Sequence, residues 1–217
     1  MKIKDTIKLL KYNPTPQMNI VVVIIFGVCA FITAIPAVNN IVGAFWANYM
    51  PMYLIGQIYL VGISGVVQSS DKYRKTFTKN LAIILALANL LEYILFVVIR
   101  TIVAYKMGMG KGVNSFLIAY MLFQILYVIY GALIYKKTKL GIAIMIPIFM
   151  LIIFANNNDT LSFADKIGSM ASVGVFLGLT AVVSALTPVM FYGLNRLMYK
   201  VPIADGITKR IERQETI

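Results

Sequence analysis

Histidine is absent from this 217-residue sequence, cysteine occurs once, and only 8 acidic residues stand against 20 lysines and arginines. Without histidine the chain lacks the commonest general base and the usual zinc ligand, which weighs against intramembrane metalloproteases and histidine-dependent phosphatases. The single Cys29 excludes a disulfide or a cysteine metal cluster within the chain. An intramembrane enzyme would need clustered acids or nucleophiles, and Glu92 is the only acid inside the long apolar runs.

Motifs that bind nucleotides or activate a serine are missing as well. The sequence has no G-x-x-x-x-G-K-[ST] loop, no dinucleotide fingerprint and no nucleophile elbow. The glycines of Met107 to Asn114, MGMGKGVN, are too few to replace such a loop. We therefore predict no catalytic residue, metal or cofactor in this chain, and any nucleotide energy must come from another chain.

The formal net charge of +12 raises the possibility of nucleic-acid binding. The basic residues, however, lie in short segments between apolar runs rather than on one soluble face. They are better explained as determinants of membrane topology. We expect the lipid bilayer as a partner and no nucleic acid.

Long apolar runs dominate the chain, which is 60% hydrophobic and 13% charged, whereas soluble domains carry about 25% charged residues. A helix of about 20 apolar residues crosses the hydrocarbon core, and the runs lack the alternation of a β-barrel. We predict an all-α integral membrane protein with a single transmembrane domain of six helices. The predicted spans cover residues 18–38, 45–67, 81–104, 115–135, 140–155 and 170–194.

Two regions of this layout leave alternatives open. The fifth predicted span is short and contains Pro147, so it is a short or kinked helix or part of a broken one. The segment after it, Asn156 to Ser169, is either a polar loop or a short helix that re-enters the membrane surface.

The first twelve residues, MKIKDTIKLLKY, separate apolar from basic side chains on a helix. The apolar face is formed by Ile3, Ile7 and Leu10, and the basic face by Lys4, Lys8 and Lys11. This pattern is typical of a helix lying in the membrane surface, the alternative being a frayed basic tail. Residues 195–217 are predicted to form a cytoplasmic C-terminal tail.

Most lysines and arginines fall on the side of the predicted membrane that holds both termini. The opposite side keeps only Arg100, Lys106, Lys111 and Lys166. Because cytoplasmic segments carry the excess of basic residues, both termini are predicted to be cytoplasmic, which requires an even number of spans.

The most highly charged interruption between apolar runs is Gln68 to Asn80, QSSDKYRKTFTKN. On a short helix Tyr73 and Phe77 form one aromatic stripe with a basic flank, which predicts a docking element for a partner protein. The alternative is an ordinary positive loop that orients two spans. The candidate docking residues are Asp71, Lys72, Tyr73, Arg74, Lys75 and Phe77.

Four polar residues lie at similar depth inside the predicted spans. Glu92 is near the membrane midplane, where a carboxylate costs at least a few kcal/mol unless it is paired, protonated or hydrated. Asn89 precedes it by three residues on the same face, and Gln57 and Gln124 lie at comparable depth. These four residues predict either a substrate path that responds to a cationic cargo or a structural network of interhelical hydrogen bonds.

This layout resembles the permease subunits of ABC-2 type ABC transporters, particularly small bacterial ones that export peptides, lantibiotics or drugs. The resemblance covers nearly the whole chain but rests on diffuse motifs. It implies that residues 1–12 form an elbow helix along the membrane. It further implies that Ser69 to Asn80 form a coupling helix seated in a groove of an ATPase, and that Asn156 to Ser169 re-enter from outside.

The resemblance also implies the partners. Two permease copies, or a pair of related permeases, would join two ATPase subunits that bind ATP and Mg, in the cell membrane of a bacterium. The chain departs from the macrolide-export type because it has no large extracellular domain. Its second basic loop, Tyr135 to Leu140, is too short for much of a second coupling helix.

A second class of function fits a six-span chain of this size. The substrate-capturing component of a vitamin uptake system would bind a small molecule tightly while alone. The basic central loop and the surface helix fit that class less well.

Overall fold

The computed structural model describes residues 3–9, 21–29, 40–62, 73–108, 112–134, 136–155 and 170–201. These stretches are mostly helical, and no strand occurs among them, which confirms the predicted all-α class for this part of the chain. The helices are α1 (Ile3–Lys8), α2 (residues 21–29), α3 (Asn40–Gly62), α4 (Tyr73–Lys106), α5 (Val113–Leu133), α6 (Thr138–Ala155) and α7 (Val173–Met198).

Three of the described helices, α4, α5 and α7, are long and apolar enough to cross a membrane. They contain most of the predicted third, fourth and sixth spans. The predicted second and fifth spans overlap α3 and α6, and the helix continues through Pro147 rather than breaking there. Most of the first predicted span, the segment Asn156 to Ser169 and the tail from residue 202 lie outside the described residues.

Helix α4 extends well beyond the apolar run that predicted it. It begins at Tyr73 instead of Leu81 and has 34 residues, or about 51 Å at 1.5 Å per residue, against a hydrocarbon core of about 30 Å. No glycine or proline interrupts it, so the polar segment before Leu81 continues the helix. Thr76–Asn80 and Tyr93–Ile99 are π-helical, a form that often marks functional sites.

Helix α4 ends at a glycine with the backbone conformation that helix ends favour. Gly108 has φ 70°, in the left-handed region that residues with a Cβ rarely adopt. Its N–H donates to the carbonyl of Tyr105 at 3.1 Å, and the N–H of Met107 donates to that of Val103 at 3.0 Å. These bonds satisfy carbonyls of the last turn.

Helix α5 lies at the centre of the bundle and packs most extensively against α3 and α7. Its large side chains fill the core between them, and Tyr120 and Phe123 are fully buried. The ring of Phe123 contacts Phe45 of α3 edge to face at 5.9 Å. Helix α2 joins this aromatic layer because Phe26 stacks on Trp46 at 5.1 Å.

The turn between α5 and α6 brings two backbones very close together. A Cβ atom on Gly141 would lie 2.7 Å from the Cα atom of Ile134, which is closer than real Cβ contacts allow. Glycine is therefore required for this approach. Lys136 lies in the same turn, and its partial burial lowers the pKa of its ammonium group.

The described helices expose many large apolar side chains and bury several polar ones, unlike the helices of a soluble bundle. On α4, Leu90 is 58% exposed whereas the neighbouring Asn89 is 2% exposed. Long apolar side chains likewise cover the outer faces of the other helices, among them Ile142, Ile146, Leu179, Val182, Leu186 and Val189. An apolar outer surface with polar side chains enclosed in the core is compatible with a membrane protein.

Candidate functional site

Six buried polar side chains form an interior cluster where α4, α5 and α7 meet. The interior polar cluster consists of Asn89, Glu92, Tyr120, Gln124, Ser184 and Thr187. Three of the four residues predicted from their depth, Asn89, Glu92 and Gln124, belong to it. The fourth, Gln57, is half-buried on α3, and the hydrogen bonds described for the cluster run through α4, α5 and α7 instead.

A chain of hydrogen bonds crosses the cluster from α4 through α7 to α5. The side-chain amide of Asn89 donates from Nδ2 to Oγ1 of Thr187 at 2.9 Å and to the carbonyl of Ser184 at 3.2 Å. The hydroxyl of Ser184 donates to Oε1 of Gln124 at 3.1 Å. Because these groups are buried, the bonds fix how α7 sits against its two neighbours.

Glu92 occupies the part of the cluster between α4 and α5. It is 1% exposed, and the hydroxyl of Tyr120 donates to its Oε2 at 3.4 Å, which is long for an O–H···O bond. Asn89 lies one turn from Glu92, and Gln124 lies one turn from Tyr120, so each helix contributes a polar pair on one face. The two pairs face each other across the interior.

Two atoms of the cluster have hydrogen-bonding capacity that the described residues do not use. Oε1 of Glu92 and Nε2 of Gln124 are buried and have no partner among those residues. Burial of an unsatisfied polar atom costs about 1–3 kcal/mol. Oε1 of Glu92 can therefore accept a hydrogen bond from a polar or cationic group, and Nε2 of Gln124 can donate one to an acceptor.

The cluster's hydroxyl residues were not predicted from the sequence. Ser184 and Thr187 lie three residues apart on one face of α7, at the depth of Gln124, and this spacing is the signal that identifies them. The signal is weak because a hydroxyl on a helix can bond to its own backbone. Thr180 does so, donating to the carbonyl of Phe176 at 2.7 Å.

The basic segment predicted to dock a partner has its aromatic and charged side chains in different surroundings. Phe77 is 4% exposed, and its ring lies 4.5 Å from that of Tyr73 and 5.8 Å from that of Tyr59. The aromatic stripe thus packs inward, against α3 and the end of α7. The prediction of docking through these rings stays a prediction.

The charged flank of the same segment faces outward. The side chains of Arg74, Lys75 and Lys79 are exposed at the start of α4. Asp71 and Lys72, the other two predicted docking residues, lie outside the described part of the chain. The exposed cations are therefore the described candidates for contact with a partner.

The functional groups of the interior cluster are amides, hydroxyls and one carboxyl group. Within the described residues no three His, Cys, Asp or Glu side chains come together as a metal site would need. Amides and a carboxyl group can exchange hydrogen bonds and receive a cation. Comparisons with protein-family models, curated proteins and solved structures find no match, so function is inferred from these side chains and their geometry.

Proposed function

We propose that this chain is the permease subunit of an ABC transporter of the ABC-2 type. In this proposal six spans with cytoplasmic termini form the path for an amphipathic or peptide-like substrate, which is exported. A separate ATPase chain binds ATP and Mg and docks on residues 68–80. The permease pairs with a second copy or a related permease in the cell membrane of a bacterium.

The observation that carries the proposal is the continuity of α4. One helix holds the exposed cations Arg74, Lys75 and Lys79 at its start and the interior residues Asn89 and Glu92 further along. Arg74 and Glu92 are eighteen positions apart, which is about 27 Å along the axis. A displacement imposed on the basic end therefore moves the carboxyl group without an intervening loop.

The π-helical segments on either side of this region support the same mechanism. Tyr93–Ile99 follows Glu92 directly, and Thr76–Asn80 follows Arg74 and Lys75. Such segments weaken the regular hydrogen-bond ladder and are places where a helix bends or rotates. The helix nevertheless continues through both segments, so a movement of the docking end can turn the part of α4 that carries Asn89 and Glu92.

The chemistry of the interior favours a cargo with positive charge. The carboxyl group of Glu92 offers its unsatisfied Oε1 as an acceptor to an ammonium or guanidinium group. Many amphipathic peptides carry such groups beside apolar side chains. The helices α4 and α7 that carry cluster residues also expose apolar faces. These faces offer the cargo a route from the lipid phase to the cluster.

The experiment that tests the proposal is purification of the tagged chain in mild detergent from its own host, followed by mass spectrometry. We expect an ATPase in stoichiometric amount. The variant Arg74→Glu with Lys75→Glu should lose that ATPase, whereas Lys106→Glu, at the other end of α4, should retain it. A chain that purifies alone with a bound small molecule would contradict the exporter and favour the capture component.

A further inference from the structure

A pocket of about 610 Å³ lies where the start of α4 meets the end of α7. Its volume is within the range of sites for small molecules. Its described lining residues include none of the interior polar cluster. They are Arg74, Gly193, Arg196, Leu197, Tyr199 and Lys200.

Three of these six described lining residues are cations, and none of the six is acidic. Arg196 lies in the last turn of α7 and Lys200 in the turn that follows it, and like charges that line one pocket repel each other. Part of their role is explained by the negative end of the α7 dipole, which cations complement. That explanation does not cover Arg74, which comes from a different helix. An anion between the three would offset their repulsion.

Arg74 contacts an aromatic ring beside the pocket. Its guanidinium group lies over the ring of Tyr199, 5.5 Å from the centroid, and that ring also lies 6.0 Å from the ring of Tyr73. A planar guanidinium group can match the oxygens of a phosphate with two parallel hydrogen bonds. A phosphate is thus an anion that this arrangement suits.

The wall at Gly193 leaves room for such a group. A Cβ atom built on Gly193 would meet no atom within 4 Å, so the space beside the backbone is open. Leu197, in contrast, is 72% exposed at the rim of the pocket. Cations next to an exposed apolar side chain are typical of the level where lipid headgroups meet acyl chains.

We propose that this pocket binds a phosphate group carried by an anionic phospholipid. In the proposed orientation it faces the cytoplasmic leaflet, where anionic lipids attract basic residues near the surface. Arg74, Arg196 and Lys200 contact the phosphate, and Leu197 contacts the acyl chains. The site depends on the proposed membrane orientation but needs no ATPase and no transported substrate.

The test measures lipid binding to the full-length chain alone by native mass spectrometry in detergent. Phosphatidylglycerol, phosphatidylcholine and inorganic phosphate are titrated in separate arms. We expect preferential retention of phosphatidylglycerol. Removal of one pocket cation should weaken this binding about fivefold, and Arg196→Gln with Lys200→Gln about thirtyfold.

The matched control removes the same charge from the same end of the bundle. Lys75 and Lys79 are exposed on α4 but do not line the pocket, so Lys75→Gln with Lys79→Gln should change the affinity by less than about twofold. Both double variants should melt like the parent chain because all four side chains are exposed.

Three results would overturn the proposal. Equal losses in the two double variants would mean that surface charge alone attracts the lipid. Equal retention of phosphatidylcholine and phosphatidylglycerol would show that the pocket does not prefer an anionic lipid. Tight binding of inorganic phosphate, unchanged by added phosphatidylglycerol, would assign the pocket to a soluble phosphate. None of these results depends on whether an ATPase is found.

Discussion

Asn80 of α4 donates a hydrogen bond from Nδ2 to Oγ1 of Thr6 in α1 at 2.8 Å, and both side chains are buried. The bond joins the N-terminal helix to the part of α4 that lies between its exposed cations and its interior residues. Ile7, on the predicted apolar face of α1, remains 49% exposed. Helix α1 thus contacts the bundle through Thr6 and keeps Ile7 available to the membrane surface.

Thr6→Val should release α1 from α4. Valine has nearly the shape of threonine but accepts no hydrogen bond, so the amide of Asn80 loses this partner at a cost of about 1–3 kcal/mol. We expect faster hydrogen exchange in α1 and in the first turns of α4, measured by mass spectrometry. Thr6→Ser keeps the hydroxyl and should exchange like the parent; equal exchange in the valine variant would show that the bond does not hold α1.

Gly141→Ala should destabilise the turn between α5 and α6. The added methyl group would lie 2.7 Å from the Cα atom of Ile134, so the backbone must shift, at a cost of about 1–3 kcal/mol. Gly178→Ala is the matched control, because a Cβ atom there meets nothing within 4 Å and alanine favours the helix by up to about 1 kcal/mol. Thermal melting in detergent measures the stability of both variants. Equal melting temperatures would contradict the close approach of Gly141 to Ile134.

Phe77→Ala should lower stability rather than act only on a partner. The ring is 4% exposed and packs on Tyr73 and Tyr59, so its removal leaves a cavity that costs about 3–5 kcal/mol by analogy with soluble cores. Lys79→Ala, two positions away and exposed, should melt like the parent chain. Chemical unfolding in mixed micelles compares the stability of the two variants. A Phe77 variant as stable as the parent chain would mean that the ring is not packed in the core.

The positions of the long helices could be predicted because the length of an apolar run is enough to identify a helix that can cross a membrane. The start of α4 was not predicted. The charges of Arg74, Lys75 and Lys79 indicated a separate short helix or a loop before Leu81, although nothing in the segment breaks a helix. Depth in the apolar runs identified Asn89, Glu92 and Gln124. It did not show that Ser184 and Thr187 connect Asn89 to Gln124, or that Tyr120 bonds to Glu92. Which hydroxyl bonds across an interface and which bonds to its own backbone depends on helix rotation, which composition does not encode.

Ser184→Ala should weaken the packing of α7 against α5. It removes the donor to Oε1 of Gln124, leaves the Ser184 carbonyl in place for Asn89, and should cost about 1 kcal/mol in stability, measured as a lower melting temperature in detergent. The control is the reverse exchange at the next position, Ala185→Ser, because Ala185 is exposed and the new hydroxyl should leave the melting temperature nearly unchanged. A Ser184 variant that melts like the parent would mean that the bond contributes nothing to packing.

Glu92→Gln should alter transport more than folding. Glutamine keeps the shape of the side chain and an oxygen that accepts from the hydroxyl of Tyr120, so the melting temperature should stay close to that of the parent. It removes the only acid described in the interior. The lost attraction to a cationic cargo is worth about 1–4 kcal/mol, so export of that cargo should fall at least about fivefold. Export of a neutral cargo of similar size should change little. Should the variant fail to accumulate in the membrane while Glu92→Asp accumulates normally, the carboxyl group is structural and the cluster is a packing network.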